Sequence, residues 1–424
     1  MVTTRAPIVV IGAGHAGVQV AVALRDNGYD DPIVVIGDEE QQPYHRPPLS
    51  KTFVTAADPE LQPLSSQNFY KTHAIDLRTG VAATEIDPGR RRVHLASGAT
   101  IAFEHLVLAT GSRSRSLLTP GAHLDGVLTL RTAQDAVELR ERLGSAERVV
   151  VIGGGFIATE FAAAAALCGA DITMLVSAPR VMARTVTDDI SEHLQDNQTQ
   201  CGVQVRPRTV VSAIHGSARR GVTEVLTASG ARCPADLVVA AIGARPNIGL
   251  AAEAGLTVSY NGYEGLLVDE YLTTSHPDIS AVGDCARFPS GKGHIRLESV
   301  QNAVDQARFV AERLVYGRTS PYKRVPWFWS DQGSVKLQIA GLTGEADTTV
   351  LRGDRECGRY SVFGFSRGRL VCVESINKPG DHLAARRILG SDISLTEGEA
   401  ADTAFPLKSS VMRANAAGQN AASN

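Results

Sequence analysis

The chain has 424 residues, 43% of them hydrophobic and 21% charged, which at ~150 residues per domain makes two or three domains with sizeable cores. Lys and Arg total 42 against 45 Asp and Glu, a net charge of −3, so no global field favours nucleic acid or an anionic membrane as partner. Forty glycines and few aromatics, 5%, suit a large α/β protein with many tight turns and exclude disordered, collagen-like and disulfide-scaffold classes.

At the N-terminus, MVTTRAP runs straight into an apolar β-branched stretch with no signal-peptide pattern. Residues 7–28 read as strand, glycine turn and helix, and 31–40 as a second buried strand ending in acids, together a βαβ unit. In the turn Gly12-Ala13-Gly14-His15-Ala16-Gly17 the first glycine permits the tight bend. The second lets a pyrophosphate approach the backbone, and the third lets helix and strand pack closely. The helix start adds amide donors and partial positive charge for phosphates. Asp38 and Glu39 stand where a ribose hydroxyl pair wants a carboxylate. A dinucleotide site is expected here, over a plain glycine turn.

The pattern recurs over 148–176, with Gly153 lying 141 residues beyond Gly12 (153 − 12), an internal duplication. The second fingerprint is Gly153-Gly154-Gly155-Phe156-Ile157-Ala158, with the alanine that the third position allows. Its following strand ends at Leu175-Val176-Ser177 without a carboxylate, which leaves NAD(H) against NADP(H) open. Arg180 follows closely enough to meet a 2′-phosphate, and fits a solvated arginine equally well.

From residue 323 the chain changes character. Stretches 327–342, 348–351 and 359–373 read as antiparallel strands and 381–389 as a helix, a small α+β domain. The small polar end of 406–424 reads as a disordered tail. Cysteines at 168, 201, 233, 285, 357 and 372 form no CxxC or zinc spacing, so reduced thiols and no metal site are expected. No segment approaches the ~18 apolar residues of a membrane span. A cytoplasmic protein is the expectation.

Two nucleotide sites in one chain imply a flavin and a nicotinamide with hydride passing between them. Five further runs stand in order: PYHRPPLSK at 43–51, LVLATGSRSR at 106–115, AIGARPN at 241–247, AVGDCA at 281–286 and PWFWSDQ at 326–332. In this order they closely resemble the FAD-dependent ferredoxin reductases of the putidaredoxin, rubredoxin and biphenyl dioxygenase reductase family. The resemblance covers about residues 7–405 and implies the glutathione-reductase-type fold. On that pattern 1–112 and 244–322 are the two parts of a split FAD domain. Residues 113–243 are an inserted NAD(P)H domain, and 323–405 an interface domain.

The resemblance also carries residue roles. Gly12, Gly14, His15, Ala16 and Gly17 cradle FAD, Asp38 and Glu39 hold its adenosine ribose, and Arg46 meets its pyrophosphate. Lys51 sits beside the reactive flavin nitrogen, where an ammonium stabilises developing negative charge. Its alternative is an exposed lysine at a helix start. Ala109, Thr110 and Gly111 form a turn over the flavin, and Arg131 matches a second flavin-side arginine. Asp284, after the permissive Gly283, accepts from the ribityl chain, its alternative being a simple helix cap. Val300 and Gln301 open a helix whose amides face the pyrimidine oxygen.

For the nicotinamide, Gly153, Gly155, Phe156, Ile157, Arg180, Ile242 and Gly243 are the implied contacts. Glu160 orients the ring, against the plain reading of a first-turn helix acid. Trp329 is placed at the flavin edge and Trp327 in the core. The implied activity is electron transfer from NADH, with NADPH still open, through FAD to an acidic 2Fe–2S ferredoxin or rubredoxin. That redoxin would feed a cytochrome P-450 or a ring-hydroxylating oxygenase. Eight cations at 287, 292, 296, 308, 313, 318, 323 and 324 face three acids at 298, 305 and 312, so a basic docking face is expected alongside the plain reading of a solvated helix. A dithiol reductase or cysteine peroxidase of the same fold would need a redox cysteine in the first domain, and none occurs before 168. Cys285 reads as a packing residue. An NADH-binding flavoprotein that signals without turnover is the alternative of a different class.

Overall fold

Two strands of identical sequence, Ile8–Ile11 and Ile33–Ile36, lie side by side in parallel, Ile8 opposite Ile33 and Ile11 opposite Ile36. Every residue of both is buried, as continuous β-branched runs require in a parallel sheet covered on both faces. The computed structural model describes residues 5–217, 221–260, 262, 264–291, 293–391 and 393–407. Lys292 and residues 408–424 of the expected tail lie outside them. The chain forms two compact units, one built from the residues up to 46, 61–113 and 244–324, the other from 47–60, 114–243 and 325 onward.

In the first unit a five-stranded parallel sheet has the order Ile279–Ala281, His105–Leu108, Ile8–Ile11, Ile33–Ile36, Ile75–Arg78. The helices His15–Asp26 and Val300–Tyr316 pack their alanine, valine and leucine faces into its core. Gly12 has φ +111°, and a Cβ there would lie 2.1 Å from the Ala109 carbonyl oxygen. Only glycine fits that bend.

The second unit repeats the arrangement: Val127–Leu128, Leu237–Ala240, Arg148–Ile152, Asp171–Leu175, Gln204–Arg206, all parallel. Gly153, at φ +129°, would set a Cβ 2.2 Å from the Ala241 carbonyl oxygen. The same unit holds an antiparallel sheet in the order Trp327–Gln332, Val335–Gly341, Arg369–Ile376, Arg359–Ser366, Thr348–Asp354. The stretches read from sequence as 327–342 and 359–373 are each two strands, because the chain reverses at Gly333 (φ +59°) and at Arg367 and Gly368 (φ +50° and +72°). Helix Pro379–Leu389 buries Ala384, Ala385 and Ile388 against Phe363, Phe365 and Val373. The α/β class with two parallel nucleotide-type sheets and a C-terminal α+β part is thus the observed one. Among the described residues no helix is long and apolar enough to cross a membrane.

Candidate functional site

The glycine turn of the first unit leaves a cradle made of backbone. Helix His15–Asp26 begins at Gly14, which has no side chain to cap it, as an anion site built from backbone amides requires. A Cβ on Gly14 or Gly111 would meet nothing within 4 Å. The space beside both is therefore open, while Gly12 and Gly17 are closed by backbone. An uncapped helix start facing open space is what a dinucleotide pyrophosphate needs. The residues present fit FAD.

Around the cradle the expected residues are joined to partners. The Thr110 hydroxyl donates to the Asn247 carbonyl at 2.7 Å, and the Asn247 amide returns a bond to the Thr110 carbonyl at 2.9 Å. Asp284 follows Gly283 (φ +76°) and accepts from the Ser112 hydroxyl at 2.8 Å. Gly283 itself is pinned through its N–H to Gln306, 2.7 Å. Val300 and Gln301 open the helix capped by Ser299, which takes the Asn302 N–H at 3.0 Å. His15 stands edge-on to His45, and Ala16 and Ala109 are buried behind the turn.

Asp38 is exposed. Glu39 accepts from Tyr44 at 2.6 Å and forms an ion pair with Arg46. The residues expected at the adenosine ribose and at the adjoining pyrophosphate are thus themselves neighbours. Cys285 is fully buried, and burial pushes its thiol pKa up, as a packing residue requires.

In the second unit helix Phe156–Leu167 likewise starts without a side-chain cap at Gly155, with open space beside Gly155 and Gly243. Phe156 packs on Phe328 at 4.1 Å, Ile157 is 40% exposed, and Ile242 packs partly buried against Val150 and Ile152. Arg180 is held by the Val186 carbonyl at 3.0 Å and by Asp188 at 2.7 Å. Both contacts use Nη2, and the buried Nη1 has no hydrogen-bond partner among the described residues. Arg131 precedes the capped helix Ala133–Leu143, its N–H on the Asp135 carboxylate at 2.8 Å.

Lys51 and Glu160 meet, 109 residues apart (160 − 51), at 2.7 Å. A tight turn at Pro47–Ser50 delivers Lys51, whose side chain is 17% exposed. Glu160 sits in the second turn of its alanine-rich helix, 4% exposed. The reading of a first-turn acid steadied by the helix dipole therefore falls. Burying that carboxylate is costly without donors, and two more arrive, Ser50 and Ser330 hydroxyls, each at 2.6 Å. Removing Lys51 would leave a buried charge at a cost of about 3–5 kcal/mol.

The strand Trp327–Gln332 splits its motif by the two-residue period of a strand. Ser330 and Gln332 are buried, whereas Trp329 and Asp331 line an open cleft of about 740 Å³ with Lys336, Gln338 and Arg359. Trp327 is half-buried under the Arg386 guanidinium, 4.2 Å from the ring centre. Ser50, Ser330, Gln332 and Asn247 were not singled out from sequence. The alternation within WFWSDQ was the one available signal.

The basic docking face does not survive as drawn. Arg313 is turned inward onto Thr273 and Ser280, both at 2.6 Å, as part of a buried group with His105. Arg296 is bound to the Glu264 and Asp284 carbonyls and to Glu298, Arg287 to Ser259, and Arg318 to Glu312. Arg308, Arg318, Lys323 and Arg324 are the exposed cations of this window among the described residues.

Known proteins share this plan. The pyridine nucleotide-disulphide oxidoreductase model matches residues 6–307 and a reductase C-terminal model residues 327–411. Rhodocoxin reductase of Rhodococcus erythropolis is 46% identical over 96% of this chain and 94% of its own. The solved ferredoxin reductase for the CYP199A2 system from Rhodopseudomonas palustris superposes with a TM-score of 0.92 at 44% identity, covering 96% of this chain and all of that one. The reductase of the covalent putidaredoxin reductase–putidaredoxin complex matches with a TM-score of 0.91 at 36% identity, over 98% and 100%. With its fingerprints, its uncapped helix starts and these full-length likenesses, the chain belongs to the pyridine nucleotide-disulphide oxidoreductase family.

Proposed function

We propose that the chain is a cytoplasmic ferredoxin reductase, taking electrons from NADH and delivering them singly to a 2Fe–2S ferredoxin or rubredoxin of an oxygenase system. The observation that carries it is two backbone phosphate cradles in one chain with no cysteine in the first 167 residues. A dithiol partner chemistry has no residue to run on, and an external one-electron carrier is the remaining outlet. FAD, when bound, would supply the conversion of one hydride's two electrons into single electrons. Gly12, Gly14, Gly17, Thr110, Gly111, Gly283, Asp284, Val300 and Gln301 are the residues that hold it in this reading, with Asp38 toward the ribose. Arg131 remains a flavin-side residue in the same reading.

The nicotinamide nucleotide is assigned to Gly153, Gly155, Phe156, Ile157, Ile242 and Gly243. Lys51 places a cation for negative charge that develops on the flavin. Glu160 holds that ammonium and the nicotinamide in line, and Trp329 covers the edge of the reacting site. The whole-length likeness to redoxin-linked reductases supports this reading over a signalling flavoprotein that binds NADH without turnover.

Anaerobic stopped-flow reduction of the purified holoprotein by NADH and by NADPH, followed by mixing with candidate ferredoxins, tests it. Rapid flavin bleaching and rapid ferredoxin reduction are expected. Tight NADH binding without bleaching would establish the signalling reading instead.

A further inference from the structure

The Glu160 carboxylate is the end of a one-way chain of hydrogen bonds that begins on another element. Gln198, on helix Asp188–Gln200, donates its side-chain amide to the Thr159 carbonyl at 2.9 Å and to the Gln332 side-chain oxygen at 3.3 Å. Gln332 donates to the Ser330 hydroxyl at 3.3 Å, and Ser330 donates to Glu160 at 2.6 Å. Asn197 fixes the strand from behind, its amide on the Gln332 carbonyl at 3.0 Å. The donor order is forced. A hydroxyl has one proton, so Ser330, having given it to the carboxylate, accepts from Gln332. Gln332 offers its amide protons in that direction and its oxygen back to Gln198.

These groups are almost wholly out of water. Gln198 and Gln332 are 0% exposed, Ser330 1% and Thr159 0%. In such surroundings polar chains polarise one another, and a missing member leaves its neighbour unsatisfied at high cost. Retaining two glutamines and a serine there, where apolar packing would be simpler, needs a reason beyond stability.

We propose that Ser330 and Gln332 are positioning residues for the Lys51–Glu160 pair. The C-terminal reductase segment thereby takes part in hydride transfer from the far side of the carboxylate. The strand's alternation gives this segment two jobs, with Trp329 and Asp331 facing the cleft and Ser330 and Gln332 facing the pair. Ser330 holds one carboxylate oxygen, while Ser50 and Lys51 hold the other. The carboxylate is therefore clamped in its plane, and Lys51 is kept at a fixed place by it. Loss of the Ser330 hydroxyl frees the carboxylate to rotate and lets the ammonium drift.

The proposal rests on the reading that Lys51 and Glu160 act in flavin reduction, so the test carries both. FAD-loaded wild type, Ser330→Ala, Ser330→Thr, Glu160→Gln, Lys51→Ala and the Ser330→Ala/Glu160→Gln double variant are mixed anaerobically with a series of NADH concentrations. Limiting rate, NADH dissociation constant and flavin content are read for each. Ser330→Ala is expected to slow the limiting rate about tenfold with the dissociation constant and flavin content unchanged. Ser330→Thr, which keeps the hydroxyl, is expected to restore it. The double variant is expected to be no slower than Glu160→Gln alone, since the serine acts through the carboxylate.

Wild-type rates in Ser330→Ala beside a slow Glu160→Gln would overturn the positioning role and leave the pair's role standing. A further slowing in the double variant would also overturn it, by showing that the serine acts elsewhere. Unimpaired Glu160→Gln and Lys51→Ala would overturn the pair's role and the proposal together.

Discussion

The two nucleotide folds of this chain are the same sheet assembled from different pieces of sequence. In both, the fingerprint strand is central, the next strand lies on one side and a late strand on the other. The fifth strand differs in origin. In the first fold it is Ile279–Ala281, far downstream; in the second it is Val127–Leu128, ahead of the fingerprint. The architecture tolerates this because a parallel edge strand needs a register and a covered face, and its place in the chain is immaterial. The contrast extends to the turn. In the first fold Ala13 faces Gly37, where a Cβ would come within 2.6 Å of it; in the second Gly154 faces Val176, with the equivalent gap at 2.7 Å. Large and small have exchanged sides across one contact.

The sharpest way to break the likeness is at the third fingerprint position. A Cβ on Gly17 would lie 1.8 Å from the Gly12 carbonyl oxygen. Ala158, its counterpart, carries that Cβ and is fully buried without displacement. The first helix therefore sits closer to its turn than the second. Gly17→Ala is expected to give protein that fails to retain FAD or to fold. Ala158→Gly is expected to keep both nucleotides and lose only about 1 kcal/mol of stability. Flavin absorbance per protein and thermal melting read both, and a yellow, stable Gly17→Ala would refute the packing difference.

A second contrast lies in the helix that leads into the outermost strand beyond the second strand of each fold, Gln67–Thr72 in one and Asp188–Gln200 in the other. In the first, Ser66 caps its own helix by accepting the Phe69 N–H at 3.2 Å. In the second, Thr187 gives both its N–H and its hydroxyl to Glu374, a buried residue of strand Arg369–Ile376. Burial raises the Glu374 carboxyl to about 7, against the lowering effect of the Thr187 bonds and of Arg180. The folded state thus keeps a proton that the unfolded chain releases above its ordinary value near 4.5. Stability from this group falls as pH rises from about 4.5 to 7, by up to about 3 kcal/mol, and levels off above. Glu374→Gln is expected to flatten that slope. Melting of wild type and variant from pH 5 to 8 checks it; parallel slopes would count against the assignment.

Much of this was legible beforehand. Both fingerprints, the strands around them and the C-terminal change of character follow from local patterns, since glycine turns and β-branched runs carry their own geometry. Lys51 and Glu160 were each noted, but their pairing across 109 residues (160 − 51) depends on the fold bringing the 47–51 turn onto the Phe156–Leu167 helix. That Glu39 and Arg46 pair with each other is likewise invisible in the sequence, where seven positions separate them. The basic window is thinner in the fold than in the sequence for a related reason. Net charge along a sequence counts Arg313 as surface, whereas the fold spends its guanidinium on Thr273 and Ser280. Charge and motif are local; who faces whom is not.

The smallest expected effect concerns the nucleotide itself. Register aligns Ile11 with Ile36 and Ile152 with Leu175, so Val176 is the counterpart of Gly37 and Ser177 that of Asp38. The position of the missing carboxylate is therefore Ser177, an exposed residue, rather than the buried Val176. Without an acid there, nothing at that corner repels a 2′-phosphate or rewards two ribose hydroxyls. Arg180 stands close by in sequence, its Nη2 held by Val186 and Asp188. Discrimination at this corner should consequently be shallow in the wild type. Ser177→Asp is expected to move the ratio of kcat/KM for NADH over NADPH upward by about tenfold, chiefly by weakening NADPH. Ser177→Asn, which supplies hydrogen bonding without charge, should move it less. If Ser177→Asp left the ratio unchanged, the two folds would differ in how they seat the ribose and not merely in the residue offered to it.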